Sequence, residues 1–394
     1  MTIPRNIALV TTARSDWGIQ RPVAAALAAR SDVALHIVAG GMHLRREFGH
    51  TLDDIIRDGF RAAHRLDYLA AGDGPDSIGK SIGDGVSAFS ALLARWQPDL
   101  ITVLGDRFEM IPAALAATPF AIPIAHLHGG EITRGAFDDQ LRHALTKLAH
   151  LHLVATEDSA RRVRQMGEDP ARIHVVGAPG LDDVVNREPV DAGELRKRYG
   201  FEPGATNLLV VYHPETRSAQ SAADQMAAVL AAVARFDARV VIVRPNADPR
   251  HGQINAAIDA FAGDRASVRA ETSIPRRDFL ALMASASALV GNSSAGIIEA
   301  ASVYTPVVNI GERQAGRLRG RNVIDVAADA ATVDANARAI AAAVERAIAP
   351  GFRTSLRDLE NPYGDGRSGP RIAQILAATP LTPQLLRKPF CDWR

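Results

Sequence analysis

The stretch DLITVLGDRFEM, residues 99–110, together with IPIAHLHGGEITRGAFDDQLRH, residues 122–143, decides how this chain folds. Each half opens on an apolar, β-branched run and closes on a burst of ionisable residues. Residues 100–104 lead into Gly105-Asp106-Arg107, and residues 122–127 lead into His128-Gly129-Gly130-Glu131, with Asp138 and Asp139 shortly after. Short continuous apolar runs mark strands covered on both faces, as in a parallel α/β sheet. In such sheets ligands sit in the crevice beyond the carboxyl ends of the strands. At least two carboxylates and a histidine are therefore expected in one crevice, which suits removal and delivery of protons better than it suits core packing.

Working outward, strands alternate with helices from end to end. Strands are expected at 6–12, 33–39, 100–104, 122–127, 151–155 and 173–176. Helical patterns separate them at 18–30, with Pro22 in its first turn, and at 77–96, 109–117, 138–149 and 159–166. GAPGLDDVVNREPV at 177–190 breaks the alternation, which restarts with strands at 207–212, 240–243, 268–270, 288–290 and 306–310. A second Gly/Pro-rich stretch, NPYGDGRSGP, precedes a helix at 370–378 that is expected to cross back to the first domain. Such βαβ repetition predicts an α/β protein of two doubly wound Rossmann-like domains facing a cleft. The expected division is 1–182 with the acid/base residues, 183–369 for nucleotide binding, and 370–394 returning to the first domain.

Composition narrows the function. The 394 residues exceed one ordinary core. Lys plus Arg number 45 against 44 for Asp plus Glu, a net charge of +1, so no global field draws nucleic acid or anionic lipid. An anionic ligand must be held by a local cluster. The single cysteine, Cys391, excludes an intrachain disulfide and a Cys-based zinc site. MTIPRNIALVTT enters a strand without a signal-peptide apolar core, and no apolar run approaches a membrane span. The expectation is a soluble cytoplasmic protein.

A second constellation lies in the C-terminal half. A short strand leads into Gly291-Asn292-Ser293-Ser294, and a helix is expected to start near Ala295, with Glu299 about one and a half turns into it. Free N–H groups and the positive helix end suit a phosphate or diphosphate, and Glu299 suits ribose hydroxyls. Tyr212-His213-Pro214-Glu215, Arg244-Pro245-Asn246-Ala247-Asp248 and Thr11-Thr12-Ala13-Arg14-Ser15-Asp16 each follow a strand. Arg14, His213, Arg244, Arg313 and Arg317 together are able to neutralise a diphosphate, with arginine suited to bidentate contacts.

Plainer readings stand beside these. Gly-Asn-Ser-Ser also makes an ordinary turn and cap. Asp106 would serve as N-cap of a helix beginning near Phe108, and Asp138 and Asp139 are favoured in the first turn of a helix. His126 reads as a hydrogen-bonded strand residue. No histidine pair has the HExxH spacing of a zinc site. Arg161, Arg162 and Arg164 read as the solvated face of a helix.

Taken jointly, ARSDWG, GMHL, GDRFEM, HLHGGE, FDDQLRHALTKLAHLH, VVGAPGLD, YHPET, RPNADP, GNSSAGIIE and NIGERQAGR resemble the hydrolysing UDP-N-acetylglucosamine 2-epimerases of sialic and legionaminic acid biosynthesis, over nearly the whole chain. The resemblance implies a glycosyltransferase-B type fold and a nucleotide-sugar substrate, UDP-N-acetylglucosamine or UDP-N,N'-diacetylbacillosamine. It implies no metal and no cofactor, and a homodimer or homotetramer. The implied reaction removes the C2 proton, expels UDP from C1 by anti elimination to a glycal, and hydrates the glycal to the free 2-epimer. By resemblance Asp106 and Asp138 are catalytic acidic positions. Arg14 and His213 lie near the diphosphate, and Ser293, Ser294, Glu299 and Arg313 contact the nucleotide, with Arg244 and Asn246 as further candidates. Many relatives carry glutamate where this chain has His128, so the second acid/base is either His128 or Glu131. The expectation favours Glu131, because two glycines before it let the backbone approach a sugar closely. A non-hydrolysing epimerase and a glycosyltransferase of the same fold are the alternatives.

Overall fold

Thirteen strands form two all-parallel sheets among the described residues of the computed structural model, which are 3–134, 136–263 and 265–392. The first sheet contains β1 (Arg5–Thr11), β2 (Val33–Gly40), β3 (Ala62–Leu66), β4 (Leu100–Leu104), β5 (Ile124–Leu127), β6 (Leu151–Val154) and β7 (Ile173–Val175), in the order β3-β2-β1-β4-β5-β6-β7. The second contains β8 (Thr206–Val211), β9 (Ala238–Val243), β10 (Val268–Glu271), β11 (Ala288–Gly291), β12 (Val307–Ile310) and β13 (Val323–Val326), in the order β10-β9-β8-β11-β12-β13. In both, the chain runs outward from the first strand and then returns to that strand's other side. The reversal leaves a crevice beyond the carboxyl ends of β1 and β4 in one sheet, and of β8 and β11 in the other.

Helices on both faces explain the apolar runs. Every residue of β4 and β5 is buried, and Ile7, Leu9, Leu100, Ile101, Ile124 and Leu127 are each at most 1% exposed. Burying such a side chain contributes about 1.5–3 kcal/mol. The strands absent from the sequence reading, β3 and β13, lie at sheet edges and expose alternate residues, so no apolar run marks them.

Compact grouping divides the chain into one unit of 1–131, 138–183 and 363–394, and another of 132–137 and 184–362. The chain re-enters the first unit at Tyr363, ahead of the Ser368–Ala378 helix. That helix packs on the Arg14–Ala28 helix, and the Asp182 carboxylate accepts from the Ser368 and Gly369 amides at 2.8 and 2.7 Å. Asp182 belongs to a short helix, Gly180–Val185, inside the expected linker.

Two local expectations need correction. The first helix starts at Arg14, not Gly18, so Pro22 sits in its interior, where it withholds an N–H from the ladder. The earlier start places Arg14 and Asp16 in the first turn, directly after β1. The helix after β4 starts at Ile111 with Met110 as N-cap and no side-chain cap, so Asp106 does not cap it.

Candidate active site

In the first unit the groups beyond β1, β4 and β5 form connected clusters. Asp16 accepts from the Thr12 hydroxyl at 2.6 Å and from the Thr12 amide at 3.3 Å. Burial pushes its pKa up, opposed by Arg107 and Thr12. Arg107 donates to Glu109 at 2.8 Å. Glu109 is fully buried, its Oε2 has no hydrogen-bond partner, and burial raises its pKa against the pull of Arg107. Arg14 is partly buried; desolvation lowers its pKa to about 10, with Asp54 opposing, so it remains a cation at neutral pH.

Asp106 pairs with Arg142 of the Asp138–Leu148 helix. The same guanidinium donates to the His128 carbonyl at 2.8 Å, tying Asp106 and His128 to one cation. Asp138 and Asp139 occupy the first turn of that helix; Asp138 is buried, while Asp139 lies 3.6 Å from His143. Sequence reasoning passed over Arg142. Its signal was an arginine four residues after Asp138, on the face that also buries Leu145 and Thr146.

His128 holds a left-handed backbone, φ 60°, uncommon for a residue with a Cβ. Its amide bonds the Leu153 carbonyl at 3.1 Å, and its carbonyl takes Arg142, so both ends are fixed. The chain then folds back, and Glu131 Oε1 meets His128 Nδ1 at 2.5 Å. An ionised carboxylate only accepts, so in the neutral form of the imidazole the proton sits on Nδ1 and the lone pair on Nε2. Nε2 is buried and has no hydrogen-bond partner. The two expected alternatives are thus one pair.

The glycines between them serve the turn. A Cβ on Gly130, which has φ 73°, would lie 2.3 Å from the Ser159 carbonyl oxygen, and one on Gly129 would lie 3.0 Å from His126 Nδ1. They let the backbone approach protein here. His126 is a strand residue as read. Its Nε2 donates to the Gly105 carbonyl at 2.8 Å, Thr146 lies 3.2 Å from Nδ1, and burial lowers its pKa to about 3.

The second unit presents different chemistry at the equivalent strand ends. His213 Nδ1 lies 3.0 Å from Asp248, linking the ends of β8 and β9, and Asn246 is half-buried in that same loop. Asn292 binds both backbone groups of His213. Ser293 Oγ accepts from the Ala295 amide at 3.3 Å as an N-cap, as its plainer reading anticipates. Ser294 is the first helical residue. Arg313 Nη1 lies 3.3 Å from the Asn292 carbonyl, and its amide donates to Glu215 at 2.9 Å. Burial raises the Glu215 pKa, and the Arg313 and Glu312 amides oppose it.

Three expectations in this half change. The helix after Ser293 is short, Ser294–Ile298, so Glu299 is its C-cap rather than a residue within it, and Glu299 Oε2 pairs with Arg276 at 2.8 Å. Arg276 comes from a different helix and carried no sequence signal. Arg244 pairs with Asp259 on the following helix at 2.5 Å. Arg317 donates to the Ile132 carbonyl at 2.7 Å and Thr133 Oγ1 at 3.2 Å, fastening the 132–137 segment within the second unit.

Comparison with known proteins places this arrangement. The UDP-N-acetylglucosamine 2-epimerase family profile matches residues 25–377. A Legionella pneumophila protein named UDP-N,N'-diacetylbacillosamine 2-epimerase (hydrolyzing) is 37% identical over 388 residues, 98% of each chain. A Campylobacter jejuni GDP/UDP-N,N'-diacetylbacillosamine 2-epimerase (hydrolyzing) is 32% identical across 82% of this chain and 84% of its own. The crystal structure of a Neisseria meningitidis UDP-GlcNAc 2-epimerase bound to UDP-GlcNAc superposes with a TM-score of 0.79 at 17% identity, covering 95% of this chain and 100% of that one. The fold is of the glycosyltransferase-B type, and the chain belongs to the UDP-N-acetylglucosamine 2-epimerase family.

Proposed function

We propose that this chain is a hydrolysing 2-epimerase acting on UDP-N,N'-diacetylbacillosamine, releasing UDP and the free 2,4-diacetamido-6-deoxy 2-epimer for nonulosonic acid biosynthesis. The observation that carries the proton chemistry is the pairing of Asp106 and His128 with one guanidinium, Arg142, beside a buried imidazole Nε2 that has no partner. The substrate follows the Legionella pneumophila relative, whose similarity spans 98% of both chains.

In this reading a base takes the C2 proton, a poor acid that demands close positioning. The C1–O bond breaks and its electrons leave with UDP, giving a glycal. Water then adds its oxygen at C1 while a proton reaches C2 on the opposite face. The sum is substrate plus water giving free sugar and UDP. Asp106, Asp138 and His128 supply the proton-transfer groups. His128 acts through Nε2, and Glu131 fixes its tautomer from behind. In the second unit Ser293, Ser294, His213 and Arg313 receive the diphosphate, and charge stabilisation there lowers the barrier to its departure. Arg14 in the first unit adds a cation. No helix of the described residues is long and apolar enough to cross a membrane. A nucleotide-sugar substrate supports a cytoplasmic enzyme, and the family resemblance implies a homodimer or homotetramer.

The test is turnover in deuterium oxide with UDP-N,N'-diacetylbacillosamine and with UDP-N-acetylglucosamine, read by phosphorus and proton NMR. Free UDP and a free 2-epimer labelled at C2 are expected, faster with the diacetamido sugar. Intact epimerised UDP-sugar without free UDP would make the enzyme non-hydrolysing. Transfer of the sugar without label at C2 would make it a glycosyltransferase.

A further inference from the structure

Asn292 follows β11 and is completely buried. Its side-chain amide Oδ1 accepts from the His213 amide at 2.8 Å, and its Nδ2 donates to the His213 carbonyl at 2.9 Å. It thereby pairs both main-chain groups of one residue, continuing the β8–β11 ladder one rung past Val211 and Gly291. The approach is close enough that a Cβ on Gly291, φ 145°, would lie 2.0 Å from the Val211 carbonyl oxygen. The Asn292 backbone is held too. Its amide bonds the Val211 carbonyl at 3.2 Å, and its carbonyl accepts Gln314 Nε2 at 2.7 Å and Arg313 Nη1 at 3.3 Å.

We infer that Asn292 is the positioning residue of the diphosphate turn: it holds the His213 main chain, the Ser293-Ser294 turn and the Arg313 side chain in one register. This inference rests on the functional reading above. Candidate ligand groups from three stretches meet at this one residue, which itself need not touch the nucleotide: His213 is held by its side-chain amide, Arg313 reaches its backbone carbonyl, and Ser293-Ser294 follow it directly in the chain. Its chemistry is specific, because one face must accept and the other must donate. A carboxylate would set a second acceptor against the His213 carbonyl, whereas a protonated carboxylic acid offers one acceptor and one donor, as the amide does. The titratable and charged groups around it are His213 with Asp248, from the β8 and β9 ends, and Arg313 with Glu215.

The experiment measures UDP affinity by calorimetry for the wild-type chain, Asn292→Asp, Asn292→Ala and Asn322→Ala, at several pH values well below each melting temperature. Asn322 is a fully buried amide of the same unit that donates to the Thr305 carbonyl at 3.0 Å just before β13, away from the strand ends in question. Asn292→Ala is expected to weaken UDP by on the order of tenfold, with the C2 label of the product unchanged. Asn292→Asp is expected to match that loss at pH 8 and to recover toward wild type as the pH falls, the wild-type profile serving as reference for His213 and for the phosphate itself. Asn322→Ala is expected to lower the melting temperature while leaving UDP affinity unchanged. If both Asn292 variants melt earlier yet bind UDP as wild type does at every pH, Asn292 is only structural and the inference falls. If the wild-type chain binds no UDP, the functional reading has failed instead.

Discussion

The two units share a strand order and differ in what they place at its reversal. Beyond β1, β4 and β5, the first unit gathers seven ionisable residues in two groups, Asp16 with Arg107 and Glu109, and Asp106 with Arg142, His128 and Glu131. Beyond β8, β9 and β11, the second unit uses an amide, hydroxyls, an arginine and backbone groups, with fewer titratable side chains, His213, Asp248 and Glu215, among them. Topology dictates where a site forms, and side chains dictate what it does. The first arrangement is rich in groups that suit proton transfer, and the second in groups that suit binding an anion.

The sharpest way to break this division is Asp106→Asn, which keeps shape and removes basicity. Turnover is expected to fall by about 10³ or more, with UDP affinity changed less than about threefold. An equal loss of UDP binding, measured by calorimetry, would move Asp106 to the nucleotide side. Next comes the histidine–glutamate pair. His128→Ala is expected to cost about 10²–10³ in kcat and to be partly restored by added imidazole, while Glu131→Gln costs about tenfold. A Glu131→Gln loss exceeding that of His128→Ala would return the direct role to the carboxylate.

The second unit is probed by Ser294→Ala and Arg313→Ala. Each is expected to raise the UDP Kd by about tenfold, with kcat for bound substrate within about twofold. A kcat loss at unchanged Kd would mean that this half takes part in the chemistry.

The smallest expected effect on activity concerns Glu168, buried in the first unit. Burial alone would raise its pKa, but hydrogen bonds from His152, Lys147 and Lys388 outweigh burial and hold it at about 2. Because its folded pKa lies below its unfolded value of 4.5, its stabilisation is fully present above that value and disappears as pH falls toward 2. Urea midpoints between pH 6 and pH 2.5 should therefore drop more steeply for the wild type than for Glu168→Gln. Parallel slopes would show that Glu168 contributes no acid sensitivity. Turnover of Glu168→Gln at neutral pH is expected to stay within about twofold of wild type.

Legibility in the sequence followed apolar runs, which are strongest in buried strands although the edge strands β7 and β10 were legible too. Strands covered on both faces, such as β4 and β5, announced themselves as apolar runs, and the residues at their ends followed from chain order. The edge strands β3 and β13 did not, because half their residues face water and their composition resembles a loop. Among candidate residues, those directly after a strand were readable. Their partners were not: Arg142 for Asp106, Arg276 for Glu299, Asp259 for Arg244, and Asn292 for His213 all come from elsewhere in the chain.

The amino-acid sequence by itself determined the α/β alternation, the two Rossmann-like sheets and the strand ends where ionisable and phosphate-suited residues accumulate, since period and burial are local properties of a chain. Only the tertiary structure decided how those residues are used. It turned the Gly129-Gly130 segment back so that Glu131 meets His128, paired Arg244 with Asp259 and Arg317 with Ile132 and Thr133, and made Asn292 a clasp on His213. A hydrogen bond depends on about 3 Å of space and on direction, and neither is encoded in spacing along a sequence.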